Sequence, residues 1–249
     1  MLLFPEDLRE TICEGLNCPS KSVTRTQGFC IQKKQDRYVQ IDSDAPSVVI
    51  LFRDPTIELD RDVKYVLDVK DPKKQVSSKL FDIFNKCILE MLPEDEIVYL
   101  DNFIRCKLPF SNKIITEDCL KIDPYANCCN QISLSIFNNL SNIKCLIISG
   151  TCPLVWFECK KILHYESADV EKYFKGFFDR EVKTENIKNK INSVTMLGEQ
   201  FLVDGWNFPV FFFPHPVTLQ RQYDKYYAPG EDYHTQFING RNKIIQILK

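Results

Sequence analysis

No apolar run in this sequence reaches the roughly 18 residues of a membrane-spanning helix, so no membrane partner is expected. The opening MLLFPEDLRE has neither a basic segment nor a long apolar one, so no secretory leader is expected there. An excess of one charge is missing too. Lys and Arg number 32 against 34 Asp and Glu, a formal net charge of −2. That excludes a global basic field, so any contact with nucleic-acid phosphates has to come from a local patch of Lys or Arg. Internal repeats, low-complexity tracts and linkers rich in Pro, Gly or Ser are also absent. Residues 1–249 therefore read as a single domain, a length that suits one large domain better than two.

Cysteine, by contrast, is plentiful. The chain has 11. An odd count without a secretory leader argues against a disulfide framework and for a reducing location, the cytoplasm or the nucleoid. Some of these thiols are expected to pack as small hydrophobes, and others are candidates for metal or cluster ligation.

Four short, near-continuous apolar runs read as buried strands: VVILF (48–52), IVYLDNFI (97–104), IKCLIISG (143–150) and PVFFFP (209–214). Such runs fit a parallel sheet covered on both faces better than alternating hairpins. Helical periodicity lies between them. Residues 77–92 put Leu80, Phe81, Phe84, Ile88 and Leu92 on one stripe, and residues 127–142 do the same with Ile132, Leu134, Ile136 and Leu140. The closing NGRNKIIQILK reads as a C-terminal helix. The expected fold is α/β: a three-layer α/β/α domain around a central, mostly parallel four-stranded sheet. Residues 19–47 read as loop with an irregular hairpin, and residues 160–207 as an insertion before the last strand.

In such a sheet ligands bind at the carboxyl ends of the strands. Arg53-Asp54-Pro55-Thr56 follows the first run. Asn102, Arg105 and Cys106 stand near the end of the second, and His215-Pro216-Val217-Thr218 follows the fourth. An acid, an amide and an imidazole are thus expected on one rim. Each has a plain alternative: Asp-Pro as a turn start, Asn102 as a strand-end cap, His215 as a hydrogen-bonded loop residue. Their coincidence at three strand ends argues for a site.

These segments resemble a known family. NFIRCKLP (102–109) followed by Asn112-Lys113 is similar to the NVVKCRPPxNR segment of the iron–sulfur class of uracil-DNA glycosylases. HPVTLQR (215–221) resembles that family's HPSYLLR, and IKCLIISG its PKVVLALG strand. VVILFRDPT (48–56) stands where the family has LMIVGEAPG, or VVILGQDPYH in cluster-free relatives. The segments keep the family order, and the likeness covers most of the chain apart from residues 160–207.

The resemblance implies hydrolysis of the N-glycosidic bond of uracil, or a related damaged base, flipped out of single- or double-stranded DNA. It implies that His215 faces the negative charge of the leaving base, that Asn102 reads the base edge, and that Asp54 orients the attacking water. By spacing, Tyr65 would stack on the base, and Arg221 would meet a phosphate. Plain helix packing and a solvated surface position are the alternatives for these two. The resemblance further implies a 4Fe–4S cluster on Cys13, Cys18, Cys106 and Cys129, with Cys128 the alternative to Cys129. The four residues between Cys13 and Cys18 exceed the family's usual two, so zinc or no metal stay open. A monomer is expected. Phe52, Arg53, Thr56 and Val217 depart from the family motifs. They raise a non-catalytic alternative, a member of the same fold that binds nucleic acid or a protein. A small-molecule α/β enzyme with its site at the same rim is a further alternative.

Overall fold

A computed structural model of the chain describes residues 15–16, 28–35, 37–52, 82–106, 119–150, 152–165, 199–221, 229 and 232–249. Eight strands form one mixed sheet. They are β1 (Phe29–Lys34), β2 (Arg37–Ile41), β3 (Val48–Phe52), β4 (Ile97–Asn102), β5 (Cys145–Ser149), β6 (Leu163–Tyr165), β7 (Gln200–Val203) and β8 (Val210–Phe213). The helices are α1 (Cys119–Phe137), α2 (Cys152–Cys159), α3 (Pro216–Arg221) and α4 (Asp232–Leu248). A further helical stretch at 82–87 leads into a 3-10 turn at Leu89–Met91.

The strand order is β2-β1-β4-β3-β5-β8-β7-β6. The four apolar runs make its contiguous centre, and β4, β3, β5 and β8 pair in parallel. The expected four-stranded sheet is therefore corrected to eight, because antiparallel strands extend both sides. On one side the β1–β2 hairpin pairs with β4, and on the other β7 pairs with β8 and β6 with β7. These flanking strands are short or mixed in polarity, as in FCIQKK of β1 and the three-residue LHY of the edge strand β6, which is what positions outside a doubly covered centre tolerate. The region read as loop and hairpin thus supplies an edge, and the ends of the 160–207 insertion supply the other. Residues 166–198 lie outside the described residues.

Every residue of β3 is buried, consistent with cover on both faces. Side-chain alternation assigns different neighbours to the two faces. Tyr99 packs on Phe137 of α1, while Phe52 packs on Phe84 and Phe213 on Phe237 of α4. Trp206 joins Phe137 to Phe157 of α2. Helix α1 starts at Cys119, well before residue 127, and contains Pro124, a residue that removes one backbone hydrogen bond and reads in sequence as a break. Of the 77–92 stripe, Phe84, Ile88 and Leu92 are buried, while Leu80 and Phe81 lie outside the described residues. Among the described residues no helix is long and apolar enough to cross a membrane.

Candidate functional site at the carboxyl ends of the parallel strands

Asn102 is the last residue of β4, and its strand partner on β3 is Phe52. Ser149 closes β5 and pairs with Phe213, the last residue of β8. Leu51 pairs with Ile148, so Asn102, Phe52, Ser149 and Phe213 form one row at the carboxyl ends. His215 stands two residues past that row. Its carbonyl accepts the Leu219 N–H at 3.0 Å, and Pro216 opens α3, where a missing N–H costs nothing.

The turn after β5 holds the histidine segment. Gly150 donates its N–H to the Phe213 carbonyl at 2.9 Å, and the Ser149 hydroxyl donates to the Pro214 carbonyl at 3.3 Å. Gly150 has φ +117°, a backbone state that L side chains rarely adopt. His215 packs beside this turn, and its ring approaches Phe52 edge-on at 6.4 Å between centroids. Asn102 is buried and His215 half-buried. The sequence thus brings the amide and the imidazole to one rim, with Phe52 next to Asn102 in the row and its ring toward the imidazole. That ring is 4 % exposed and packs on Phe84 at 5.1 Å, so it fills the middle of the row.

Beneath the rim is a cluster that the sequence reading missed. Asp101 and Arg105 form an ion pair, Nε to Oδ2 at 2.7 Å, with side chains 0 % and 3 % exposed. The Tyr99 hydroxyl donates to the same carboxylate oxygen at 3.1 Å. Arg105 also donates from Nη1 to the Cys129 carbonyl at 3.0 Å and from Nη2 to the Ser133 hydroxyl at 3.1 Å. Burial alone would lower Arg105, but Asp101, Tyr99 and Cys129 together outweigh it and hold the guanidinium above its ordinary value. Burial, then the Asp101 charge, push Tyr99 well above the usual phenol range. Two opposite charges four residues apart, flanking the apolar pair Phe103-Ile104, were the available signal.

The same cluster bears on the cysteines. The Arg105 backbone N–H donates to Cys129 Sγ at 3.4 Å, and Cys106 is the next residue, so both buried thiols sit at the β4–α1 junction. The bond goes to Cys129 and not to its buried neighbour Cys128. Peptide N–H donation to sulfur suits a metal-bound thiolate, and on this half the donor set fits a cluster or zinc. Among the described residues no group of three or more His, Cys, Asp or Glu stands together, so a four-thiolate site also needs Cys13 and Cys18. Those two cysteines, with Asp54 and Tyr65, lie outside the described residues, as do Arg53 and Thr56. Arg221 closes α3 and is exposed. A surface cavity of about 410 Å³, lined in part by Ser47, Glu96 and Lys144, lies at the opposite, amino end of the parallel strands.

Other cysteines behave as core. Burial pushes the Cys30 and Cys145 thiols up to about 12, so neither presents a thiolate near neutrality. Iodoacetamide at pH 8 should label exposed Cys159 in the native protein and spare Cys30 and Cys145 until unfolding. Peptide mapping that finds either core thiol labelled under native conditions would contradict this burial.

A scan against protein-family models finds no match to the chain, and a search of curated proteins finds none either.

Proposed function

We propose that the chain is a divergent relative of the iron–sulfur uracil-DNA glycosylases and that its carboxyl-end rim receives a base flipped out of DNA. The observation that carries this reading is the placement of Asn102 and His215 at one rim, Asn102 closing β4 and His215 standing two residues past the end of β8. A three-layer arrangement is part of the reading. Tyr99 and Asp101 face α1 on one side of the sheet, and Phe52 and Phe213 face the 82–87 stretch and α4 on the other.

In this mechanism the bond between C1′ and the base nitrogen breaks, and its electron pair leaves with the base. His215 donates a hydrogen bond to the charge that develops there. The Asn102 amide donates and accepts along the base edge. Water supplies the oxygen that bonds C1′, and Asp54 orients it and takes its proton. Tyr65 would stack on the base and Arg221 would meet phosphate. A 4Fe–4S cluster on Cys13, Cys18, Cys106 and Cys129 would cross-link distant chain segments at the β4–α1 junction, as zinc would in the same thiolates. The protein would act as a monomer in the cytoplasm or at the nucleoid.

Phe52 favours a second reading. Its buried ring stands beside the imidazole, on the strand next to Asn102, where the family has glycine. That suits a non-catalytic member that binds nucleic acid or a protein partner. Base release from an oligonucleotide with one deoxyuridine, by protein purified without oxygen, separates the two. Release that is lost in His215→Ala supports the glycosylase. DNA binding without release supports the second reading in its nucleic-acid form, and the absence of both removes the glycosylase and leaves only a protein partner.

A further inference from the structure

The Asp101–Arg105 cluster has two ends. At one, Asp101 Oδ1 accepts the backbone N–H of Asn102 at 2.7 Å. At the other, Arg105 grips α1 through the Cys129 carbonyl, the Cys129 sulfur and the Ser133 hydroxyl. The Nε–Oδ2 contact at 2.7 Å joins them, with the Tyr99 hydroxyl on the same oxygen. The Ser133 hydroxyl itself donates to the Cys129 carbonyl at 3.0 Å, so the helix end is braced as well. Asp101 and Ser133 are 0 % exposed and Arg105 is 2 % exposed. In so dry a setting each contact is strong and directional, and the members polarise one another.

Stability alone does not account for this arrangement. Two charges taken out of water are often matched, for stability, by apolar side chains of similar volume. What apolar side chains cannot copy is the geometry. The carboxylate fixes the peptide plane between residues 101 and 102, and the planar guanidinium fixes that carboxylate against the helix. Asn102 therefore cannot turn or slide without breaking contacts at α1.

We infer that Asp101 and Arg105 are positioning residues that lock the Asn102 peptide to α1 and the Cys106–Cys129 junction, so that the rim amide and the thiols form one rigid unit. The link to function rests on the rim reading of Asn102. The lock itself is a property of the described network.

Two variants and three measurements test it. Asp101→Leu/Arg105→Met removes the pair without stranding a charge. Arg105→Lys keeps the charge and loses the planar fork. Arg105→Lys is expected to melt close to the parent, and the double variant lower, because it leaves the buried Asn102 N–H and Tyr99 hydroxyl without their acceptor. Both should bind the deoxyuridine oligonucleotide roughly 10- to 100-fold more weakly, as expected for a misplaced contact group. Amide hydrogen exchange at Asn102 and Arg105 should accelerate together, by about tenfold or more. A double variant that melts, binds and exchanges at Asn102 like the parent overturns the inference. If the double variant does not fold, Arg105→Lys decides: parental binding overturns the inference, and weakened binding with an intact melt supports it. If the parent itself neither binds nor cleaves the oligonucleotide, the rim reading fails separately. Exchange at Asn102 in Arg105→Lys then decides the lock, with acceleration supporting it and no change overturning it.

Discussion

Replacing Arg105 alone by methionine is expected to lower the unfolding free energy by about 3–5 kcal/mol, the cost of leaving a buried charge without its partner. Asp101 would keep the Tyr99 hydroxyl and the Asn102 N–H, both neutral donors, and lose its cation. The Cys129 carbonyl and the Ser133 hydroxyl would each lose a charged donor as well. For a domain with an ordinary margin of about 5–15 kcal/mol, a loss of that size is a large share. Urea unfolding measures it directly: the midpoint should fall while the slope stays constant, because the folded state keeps its burial. A loss below about 1 kcal/mol, the range of exposed ion pairs, would mean that this pair is solvated.

The second large effect is expected at Gly28. A Cβ built there runs into the hydroxyl and ring carbon of Tyr99 and comes within 2.8 Å of the Leu100 carbonyl. The phenol has little freedom to yield. Its hydroxyl is held by Asp101, and its ring packs on Phe137. The carbonyl belongs to the sheet, next to the Phe29–Leu100 pair. Gly28→Ala is therefore expected to cost about 2–3 kcal/mol, near the upper range of overpacking. Coupling to the network is the specific part of this claim. In a Tyr99→Leu background the same alanine should cost clearly less, and a double-mutant cycle reads the difference. Additive costs would place the strain at the backbone alone.

Legibility in the sequence followed burial. The four central strands read clearly because each is buried on both faces and so is apolar almost throughout. The flanking strands did not, because they lie outside the doubly covered centre and tolerate polar residues such as Gln32, Lys33 and Lys34 of β1. Asn102 and His215 were readable for a topological reason: polar residues just past a buried strand fall on the rim. Arg105 was readable only as a residue near the end of the second run, and its burial was not, since arginine is rarely buried unless it is paired. Its partner lies four residues back in the same strand end, and the helix that accepts its other protons is far along the chain. Gly28 gave no signal at all, because the space it leaves is used by a tyrosine brought in by sheet pairing. The Phe52 departure was visible as a mismatch of motif. What the ring occupies became clear only from its contacts with Phe84 and His215.

The hairpin β1–β2 also has a consequence for synthesis. It is made early, but the strand it docks on, β4, leaves the ribosome much later, after β3 has appeared. Until then one edge of β1 has no partner in the sheet, and β3 waits for both of its parallel neighbours. Pairings between such distant segments are slow to form and leave strand edges open to other chains meanwhile. Yield on overexpression should therefore respond to translation speed and to chaperone supply more than the finished domain's stability would suggest.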